Sequence, residues 1–337
     1  MSRQEMISVI VVTYNQEHTI GRTLDSILRQ QCHLPIEIVV GEDCSTDQTR
    51  TICQEYANRY PEQIRLFCNE YNKGLVDNYF DCLLACRGAY IADCAGDDFW
   101  VDDQKLEKEV RLMETDPTIT LVHTAWRSYN EDTQTAAAPL LHPFPAPITD
   151  GKKMLEAILT QTQMPVIHLC TALYRADTIL REYHADTPLF RNQGAGCEDL
   201  QIVFLMAYNG NIAYLPDVTL YYSQGSETIS APKDERKLFD FYKKATNQSY
   251  ELSEKYNIHS RQTEHFFQER IYALLMHAFR AHAPELRDEA LTYQRKWKVK
   301  STWKIRLVQT LTQYKGSWHL ALHLRKYLRQ LRSNHLR

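Results

Sequence analysis

Residues 7–13 read ISVIVVT, an almost unbroken run of apolar and β-branched side chains. A run of this kind, without polar alternation, is typical of a strand that is buried on both faces in a parallel sheet. Comparable strand-forming segments follow at residues 36–40, 64–67, 89–93 and 119–123. Segments with helical periodicity lie between them, and this alternation predicts an α/β fold with a doubly wound, mostly parallel central sheet flanked by helices.

The predicted helices are marked by apolar residues three and four positions apart. The first begins near Thr19, and the second opens at a predicted capping box formed by Ser45 and Gln48. A third is predicted over residues 75–86. Another follows the strand at 89–93, so each of these strands leads into a helix.

A proline-rich stretch, residues 139–147, interrupts this alternation and predicts a loop between two halves of the fold. The elements predicted beyond it are a strand at 168–175, a helix at 198–208 and two short strands at 212–215 and 218–222, split by Pro216 and Asp217. From about residue 233 the pattern is helical to the end of the chain.

The composition is that of an ordinary globular protein, with 337 residues, 44% of them hydrophobic and 24% charged. No apolar run approaches the roughly 20 residues that cross a bilayer. The polar first residues lack the order of a secretory signal, so a cytoplasmic protein is expected. The nine cysteines include no CxxC pair. We therefore expect reduced thiols, with a zinc site as the less favoured alternative.

Polar loops follow three of the predicted strands, at residues 14–17, 42–47 and 95–98. Ligands of doubly wound sheets bind beyond the carboxyl ends of the strands, so these loops are expected to form the ligand site. A nicotinamide dehydrogenase is excluded, because no GxGxxG follows the first strand.

Four segments carry a resemblance to a known family: VIVVTYNQEHTIGRTLDSIL (9–28), EIVVGEDCSTDQT (37–49), CRGAYIADCAGDDFWVDDQKLEKEV (86–110) and GCEDLQIVFLMAYNGNIAYLPDVTLYY (196–222). In this order they resemble family 2 glycosyltransferases, over about residues 6–230. The resemblance implies a GT-A-type fold and inverting transfer of a sugar from a nucleotide-diphospho-sugar, with a UDP-sugar favoured, to an acceptor hydroxyl. It also implies a place in cell-surface polysaccharide or lipopolysaccharide biosynthesis, with a saccharide or lipid-linked saccharide as acceptor.

The resemblance implies a nucleotide site in the loops after the first two strands. Thr13, Tyr14 and Asn15 would meet the nucleobase, although a plain strand-to-helix turn also fits these residues. Asp43 matches the base-binding acid, whose carboxylate can accept the imide N–H of uracil. Asp47 suits the start of a helix instead.

Two further residues near this site depend on the resemblance. Lys73 lies in a segment that approaches the nucleotide in relatives and could face phosphate, although a lone lysine is more often solvated. Cys44 stands where the family usually has glycine, and this departs from the family pattern.

Asp97 and Asp98 follow the strand at 89–93 and match the acidic motif of the family. Carboxylates at this place would bind Mg²⁺ or Mn²⁺, which neutralises the diphosphate, and Asp97 would also meet the nucleotide. Ala95 replaces the first acid of the motif, and a solvated acidic turn is the plain alternative. This departure motivates a second hypothesis, a catalytically degenerate GT-A-fold protein that binds nucleotide or acts as a scaffold.

Asp199 matches the family's general base, which takes the proton of the acceptor hydroxyl, and Glu198 is its neighbour and competitor. Without the resemblance, both acids fit a role at the start of a helix, where they complement the helix dipole. The resemblance favours catalysis.

The predicted domains are a GT-A catalytic domain at residues 1–230 and a C-terminal helical basic region at 231–337. The catalytic domain has a nucleotide-binding half at 1–125 and an acceptor-side half at 148–230. After Glu289 the chain contains no acidic residue.

The cations of the basic region interleave with aromatic and leucine residues. A helix packed on the catalytic domain and a peripheral helix on an anionic membrane surface both fit, the latter at the inner face of the cell membrane. No recognisable module supports binding to nucleic acid.

Overall fold

The computed structural model describes residues 4–138, 147–163, 166–192, 194, 196–224, 234–313, 316 and 318. The chain divides into two units, Met1–Ser226 and Glu227–Arg337, and each unit has its own buried core. All the residues predicted to form the active site lie in the first unit.

The first unit alternates strands and helices along much of its length. Its strands are β1 (Gln4–Thr13), β2 (Ile36–Glu42), β3 (Ile64–Cys68), β4 (Gly88–Asp93), β5 (Phe99–Trp100), β6 (Ile119–Asn130), β7 (Thr135–Ala136), β8 (Ile148–Asp150), β9 (Ala172–Arg175) and β10 (Asn211–Gln224). Its helices are α1 (Ile20–Leu28), α2 (Thr49–Arg59), α3 (Leu75–Ala85), α4 (Lys105–Thr115), α5 (Leu155–Leu159), α6 (Ala176–Ala185), α7 (Thr187–Phe190) and α8 (Asp199–Asn209).

One sheet runs through the first unit in the order β3-β2-β1-β4-β9-β6-β10-β5, with β7 beside β6 and β8 beside β10. The long ladders are parallel: β1 with β2 and β4, β2 with β3, and β6 with β10. They confirm the predicted α/β fold with its mostly parallel sheet. β9 runs antiparallel between β4 and β6, an orientation that the sequence pattern did not predict.

β1 lies inside the sheet, and this position explains its apolar sequence. Val9 and Val11 are fully buried in a core that they share with Ile20 and Leu24 of α1. Ile10, which alternation directs to the opposite face, is also buried. Burial of both faces confirms the interpretation of this segment, and each such side chain contributes about 1.5–3 kcal/mol to folding.

The predicted capping box at the start of α2 is wrong. The helix begins at Thr49, whose N–H donates to Oδ1 of Asp47 at 2.9 Å. Ser45 Oγ instead accepts the N–H of Asn15 at 3.0 Å. The nearby acid takes over the helix terminus, as predicted for Asp47, and leaves the serine hydroxyl to join two loops.

The two strands predicted on either side of Pro216 are one strand, β10, with register shifts between Leu215 and Val218 and between Val218 and Leu220. Proline lacks the N–H that a ladder requires, so it disturbs the register locally without ending the strand. The strand predicted at 168–175 is shorter, because a 3₁₀ turn, Leu169–Thr171, precedes β9.

The second unit is helical over its described residues. It contains α9 (Glu235–Lys255), α10 (Arg261–Ala281), α11 (Pro284–Lys296) and α12 (Trp303–Gln313). Its core includes Ile271, Leu274, Trp297 and Trp318. Among the described residues, no helix combines the length and the apolar character that a membrane span requires. The leucine-rich stretch predicted near the end of the tail lies outside the described residues.

Candidate functional site

The loops that follow β1 and β2 are joined to each other by hydrogen bonds. Asn15, whose φ is 53°, accepts the N–H of Thr46 through Oδ1 at 2.9 Å and donates its own N–H to Ser45 Oγ. Thr13 is buried, and its carbonyl accepts the N–H of Asp43 at 3.0 Å. Tyr14 is 44% exposed beside them. The structure thus brings the predicted base-binding residues together at one edge of the sheet.

The carboxylate of Asp43 lies in a pocket formed by the segment before α3. Its Oδ1 accepts from Asn69 Nδ2 and from the N–H of Lys73, both at 2.9 Å. Its Oδ2 accepts the N–H of Gly74 at 2.9 Å, and Gly74 has a φ of 84°, a conformation that glycine adopts without strain. These donors fix the carboxylate as an acceptor at the sheet edge.

Lys73 contributes to this pocket through its backbone. Its ammonium group pairs with Asp81 of α3 at 2.8 Å, and this hydrogen bond raises the pKa of Lys73. A phosphate contact would require the ammonium to leave Asp81.

Side chains of α1 and of Thr19, its N-cap residue, hold the turn that follows β4. Three consecutive carbonyl groups, those of residues 96–98, accept hydrogen bonds from this helix. Thr19 donates to the first at 2.9 Å, Arg22 to the second at 3.2 Å and Thr23 to the third at 2.6 Å. The first helix therefore sets the orientation of the acidic turn.

The two acids of this turn differ in their surroundings. Asp98 is 1% exposed, and its Oδ1 accepts the N–H of Ser223 at 2.8 Å. Its Oδ2 is buried, and no N–H or O–H group among the described residues donates to it, although a hydrogen bond from the Cys170 thiol lowers the pKa of this carboxyl group. Burial, followed by the charge of Asp97, raises the pKa of Asp98 well above its usual value. Asp97 is partly buried, and burial raises its pKa as well.

A half-buried cation, Arg22, lies beside the acidic turn. Arg22 pairs with Glu131 through two hydrogen bonds of 2.6 and 3.2 Å, and its guanidinium lies 4.0 Å from the centre of the Phe99 ring. Glu131 raises the pKa of Asp97, and Arg22 opposes that effect. No local pattern marks this pair, because its partners are 109 positions apart in the sequence.

The acidic turn packs directly on the first loop at Gly96. A Cβ atom there would lie 2.3 Å from Oε1 of Gln16 and 2.8 Å from Oγ1 of Thr13, so only glycine fits without displacement. The N–H of Ala95 donates to Sγ of Cys170 at 3.3 Å. Ala95, which stands where the family motif has its first acid, thus contributes a methyl group and lies next to the Cys170 thiol.

The nearby Asp93 interacts through its carboxyl group with two buried tyrosines. It is 5% exposed at the end of β4, and burial raises its pKa to about 7, against the effect of the Tyr79 and Tyr174 hydroxyls. Those two hydroxyls lie 2.7 Å apart and are hydrogen bonded to each other.

The residues around the turn suit a divalent cation. Asp97 and Asp98 offer carboxylate oxygens, the ligands that Mg²⁺ and Mn²⁺ prefer. A buried carboxylate oxygen that lacks an N–H or O–H donor, such as Asp98 Oδ2 among the described residues, is costly unless a cation or a proton satisfies it. Burial raises the pKa of both acids because it disfavours their charged forms, and a bound cation would stabilise those forms.

α8 begins at Asp199, and Glu198 occupies its N-cap position. Burial raises the pKa of Asp199 to about 6. Burial and the charge of Asp199 raise the pKa of Glu198 well above its usual value. Asp199 also contributes to the raised pKa of Asp98, so the start of α8 lies within electrostatic range of the acidic turn.

Sequence reasoning named most acids of this site but missed the groups that hold them. Arg22, Glu131, Thr19 and Thr23 carry no motif, and their roles come from contacts across the fold. Ser223 carries no motif either, and its N–H joins β10 to the acidic turn by donating to Asp98 Oδ1.

Comparison with known proteins agrees with this architecture. The family model of glycosyl transferase family 2 matches residues 8–180. The UDP-Glc:alpha-D-GlcNAc-diphosphoundecaprenol beta-1,3-glucosyltransferase WfgD of Escherichia coli is 34% identical over 108 residues, which cover 32% of this chain and 41% of WfgD. The chain spans less than half the length of several such curated relatives, between 36% and 46%.

Two solved structures share the fold. The first 349 residues of TarS from S. aureus match with a TM-score of 0.52 and 18% identity, over 91% of each chain. The mannosyltransferase PcManGT of Pyrobaculum calidifontis, solved with GDP-Man and Mn²⁺, matches with a TM-score of 0.54 and 17% identity, over 96% of this chain and 85% of its own. Because the family model covers about half of the chain, this protein belongs to glycosyl transferase family 2, and its first unit has the GT-A-type fold.

Proposed function

We propose that this protein transfers a sugar, with inversion, from a nucleotide-diphospho-sugar to an acceptor hydroxyl, and that the donor is a UDP-sugar. The observation that supports this most is the acidic turn at residues 97–98. It presents a buried carboxylate oxygen that receives no N–H or O–H donor from the described residues, and it lies within electrostatic range of Asp199, whose pKa burial raises to about 6.

The base of the nucleotide binds at the ends of β1 and β2 in this proposal. Asp43 already receives three hydrogen bonds, and a further lone pair accepts the imide N–H of uracil. The exposed ring of Tyr14 offers a face for the base. Thr13 and Asn15 hold the two loops in register, and Lys73 reaches phosphate only by leaving Asp81.

Asp97 and Asp98 hold the divalent cation, Mg²⁺ or Mn²⁺. When bound, such a cation neutralises charge on the departing diphosphate. Asp97 is the more accessible of the two acids, and it also approaches the nucleotide. α1 keeps the turn in place through Thr19, Arg22 and Thr23, so the acids need little reorganisation when the donor arrives.

Asp199 acts as the general base. Its position at the start of α8 lets it take the proton of the acceptor hydroxyl while the hydroxyl oxygen attacks the anomeric carbon. The oxygen attacks from the face opposite the diphosphate, so the configuration of the sugar inverts. Glu198, whose pKa is raised well above its usual value by burial and by the charge of Asp199, orients its neighbour in this proposal.

The acceptor is a saccharide or a lipid-linked saccharide in cell-surface polysaccharide biosynthesis. The activity named for WfgD, with a UDP-sugar donor and a diphosphoundecaprenol-linked acceptor, supports this choice of substrates. TarS was also crystallised with UDP-GlcNAc, which supports a uridine donor in this fold.

The proposal is tested by a donor screen. UDP-, GDP- and dTDP-sugars are each added with Mn²⁺, and both thermal stabilisation and nucleotide release are measured. We expect stabilisation and release with UDP-sugars. Stabilisation without any release, even with saccharide acceptors, would favour the degenerate alternative that Ala95 suggests, and no response to any nucleotide would leave only a scaffold.

A further inference from the structure

Hydrogen bonds attach the loop that joins α1 to β2 to the first turns of α4 and to the segment that leads into this helix. The N–H of Gln31 donates to the carbonyl of Asp103 at 2.7 Å, and the N–H of His33 donates to Oε2 of Glu107 at 2.9 Å. Gln30 donates to the carbonyl of Asp102 at 2.8 Å. The side chains of this loop and of α4 are therefore held at fixed separations.

Three potential metal ligands of different chemistry meet at this junction. One atom from each of Cys32, His33 and Glu107, namely a thiol sulfur, a ring nitrogen and a carboxylate oxygen, lies within 4.8 Å of the other two. His33 Nδ1 is 2.7 Å from Glu107 Oε2, and the Cys32 thiol hydrogen bonds to the same carboxylate. Protons on sulfur and nitrogen thus fill the space between these ligands.

A second observation points to a cation at this place. The other ring nitrogen of His33, Nε2, lies 3.1 Å from Oε1 of Glu114, two turns further along α4. Histidines that bind metals almost always donate their second N–H to a carboxylate or carbonyl, which fixes the tautomer and the ring orientation. Glu114 leaves Nδ1 as the nitrogen that faces Cys32 and Glu107.

We propose that Cys32, His33 and Glu107 bind a divalent transition metal of the zinc class. The ligands are the Cys32 thiolate, His33 Nδ1 and a Glu107 oxygen, with a water molecule as the fourth. Binding releases two protons, one from sulfur and one from the ring, and the metal takes their place. Metal–ligand bonds of about 2.0–2.3 Å require only that the three side chains close around the ion.

The local charges suit such an ion. The thiolate, Glu107 and Glu114 carry three negative charges, and Arg111, which bonds Glu107 Oε1 at 2.8 Å, carries one positive charge. A divalent cation makes this set neutral. The loop joining α1 to β2 would then be clamped to α4 through the metal as well as through hydrogen bonds.

This site selects a different metal from the acidic turn. A thiolate and an imidazole favour zinc, cobalt and copper, whereas the carboxylates of Asp97 and Asp98 favour magnesium and manganese. The proposal does not depend on the transfer reaction, since its ligands are separate from the residues assigned to donor and acceptor.

Cobalt(II) provides the test, because thiolate coordination to cobalt gives a near-ultraviolet charge-transfer band that oxygen ligands do not give. Full-length protein is freed of metal, kept reduced and titrated with Co²⁺, and Zn²⁺ is then added in competition. We expect a saturable band at one equivalent that Zn²⁺ abolishes. Cys32→Ser should remove the band, and Cys68→Ser, at an exposed cysteine of β3, should retain it.

Glu114→Gln separates a metal site from a simple ion-pair network. It leaves all three ligands in place and should weaken Co²⁺ binding about 10–100-fold, as expected for the partner of a ligating histidine. No charge-transfer band in the wild-type protein, or a band of unchanged intensity in Cys32→Ser, would overturn the proposal.

Discussion

The acidic side chains of the site differ in their burial and in the donors around them. Asp43 accepts hydrogen bonds from three donors, whereas Asp98 has one buried oxygen to which no N–H or O–H group in the described part of the chain donates. Asp199 lies between these extremes, with a pKa that burial raises to about 6. Residues of one chemical type therefore take separate roles in the proposed reaction.

The pH dependence of transfer tests the role of Asp199. A general base must be ionised, so kcat should fall as the pH drops below about 6, the pKa to which burial raises Asp199. Asp199→Asn should reduce kcat about 10²–10⁴-fold while leaving UDP affinity unchanged. Steady-state kinetics at saturating donor and Mn²⁺ measure the first effect, and calorimetric titration with UDP measures the second.

UDP affinity across the same pH range provides the control, since it separates titration of the base from loss of the metal. If Asp199→Asn kept wild-type turnover, Glu198 or another group would have to be the base.

At the scale of single residues, the sequence predicted those positions whose chemistry is local. Asp97 and Asp98 stand out because they follow a strand and match the acidic motif of the family, and Asp47 because it precedes a helix. Arg22 could not be predicted, because its partners, Glu131 just after β6 and Ser223 of β10, meet α1 only in the folded protein.

At the scale of elements, apolar periodicity predicted the strands and helices of the first 125 residues well, because each buries a face of its own. Periodicity failed where neighbouring strands decide the orientation or the length of a strand. β9 is antiparallel because of its place between β4 and β6, and β10 continues through Pro216 because the β6 ladder supports it on both sides of the irregularity. Neither fact is encoded within the segment itself.

α4 carries a buried ion pair whose contribution to stability can be tested. Lys105 and Glu109 are fully buried, 2.6 Å apart, and Lys105 also lies 4.8 Å from the centre of the Trp100 ring. Lys105→Met should destabilise the protein by about 3–5 kcal/mol, because it leaves a buried carboxylate without its partner. Urea-induced unfolding followed by circular dichroism measures the loss.

The matched control replaces both partners. Lys105→Met combined with Glu109→Leu should recover most of the stability, since an apolar pair avoids the cost of burying charge. Equal destabilisation by the single and the double variant would mean that packing, and not the unpaired charge, governs α4.

For the whole molecule, the division at Ser226 and Glu227 coincides with a change in chemistry along the chain. The family match lies within the first unit, whereas the described part of the second unit is helical, and the sequence contains no acidic residue after Glu289. The cations at the end of this stretch lie outside the described residues, so their role stays a prediction from the sequence.

We propose that the basic region binds an anionic membrane surface, where a lipid-linked acceptor would be found. The full-length protein should co-sediment with vesicles containing phosphatidylglycerol but not with vesicles of phosphatidylcholine alone, and added salt should release it. A variant that combines Arg325→Glu, Lys326→Glu, Arg329→Glu and Arg332→Glu should lose this binding. Equal sedimentation of this variant and the wild type would refute the proposal.

The central claim is that the carboxylates of the turn after β4 hold a divalent cation, and that binding of the donor depends on this cation. Isothermal titration of UDP with and without Mn²⁺, on the wild type and on Asp97→Ala, tests it most directly, with Asp103→Ala, an exposed acid of the next loop, as the control. We predict that Mn²⁺ strengthens UDP binding in the wild type and in Asp103→Ala but has no effect in Asp97→Ala. An undiminished effect of Mn²⁺ in Asp97→Ala would contradict the account.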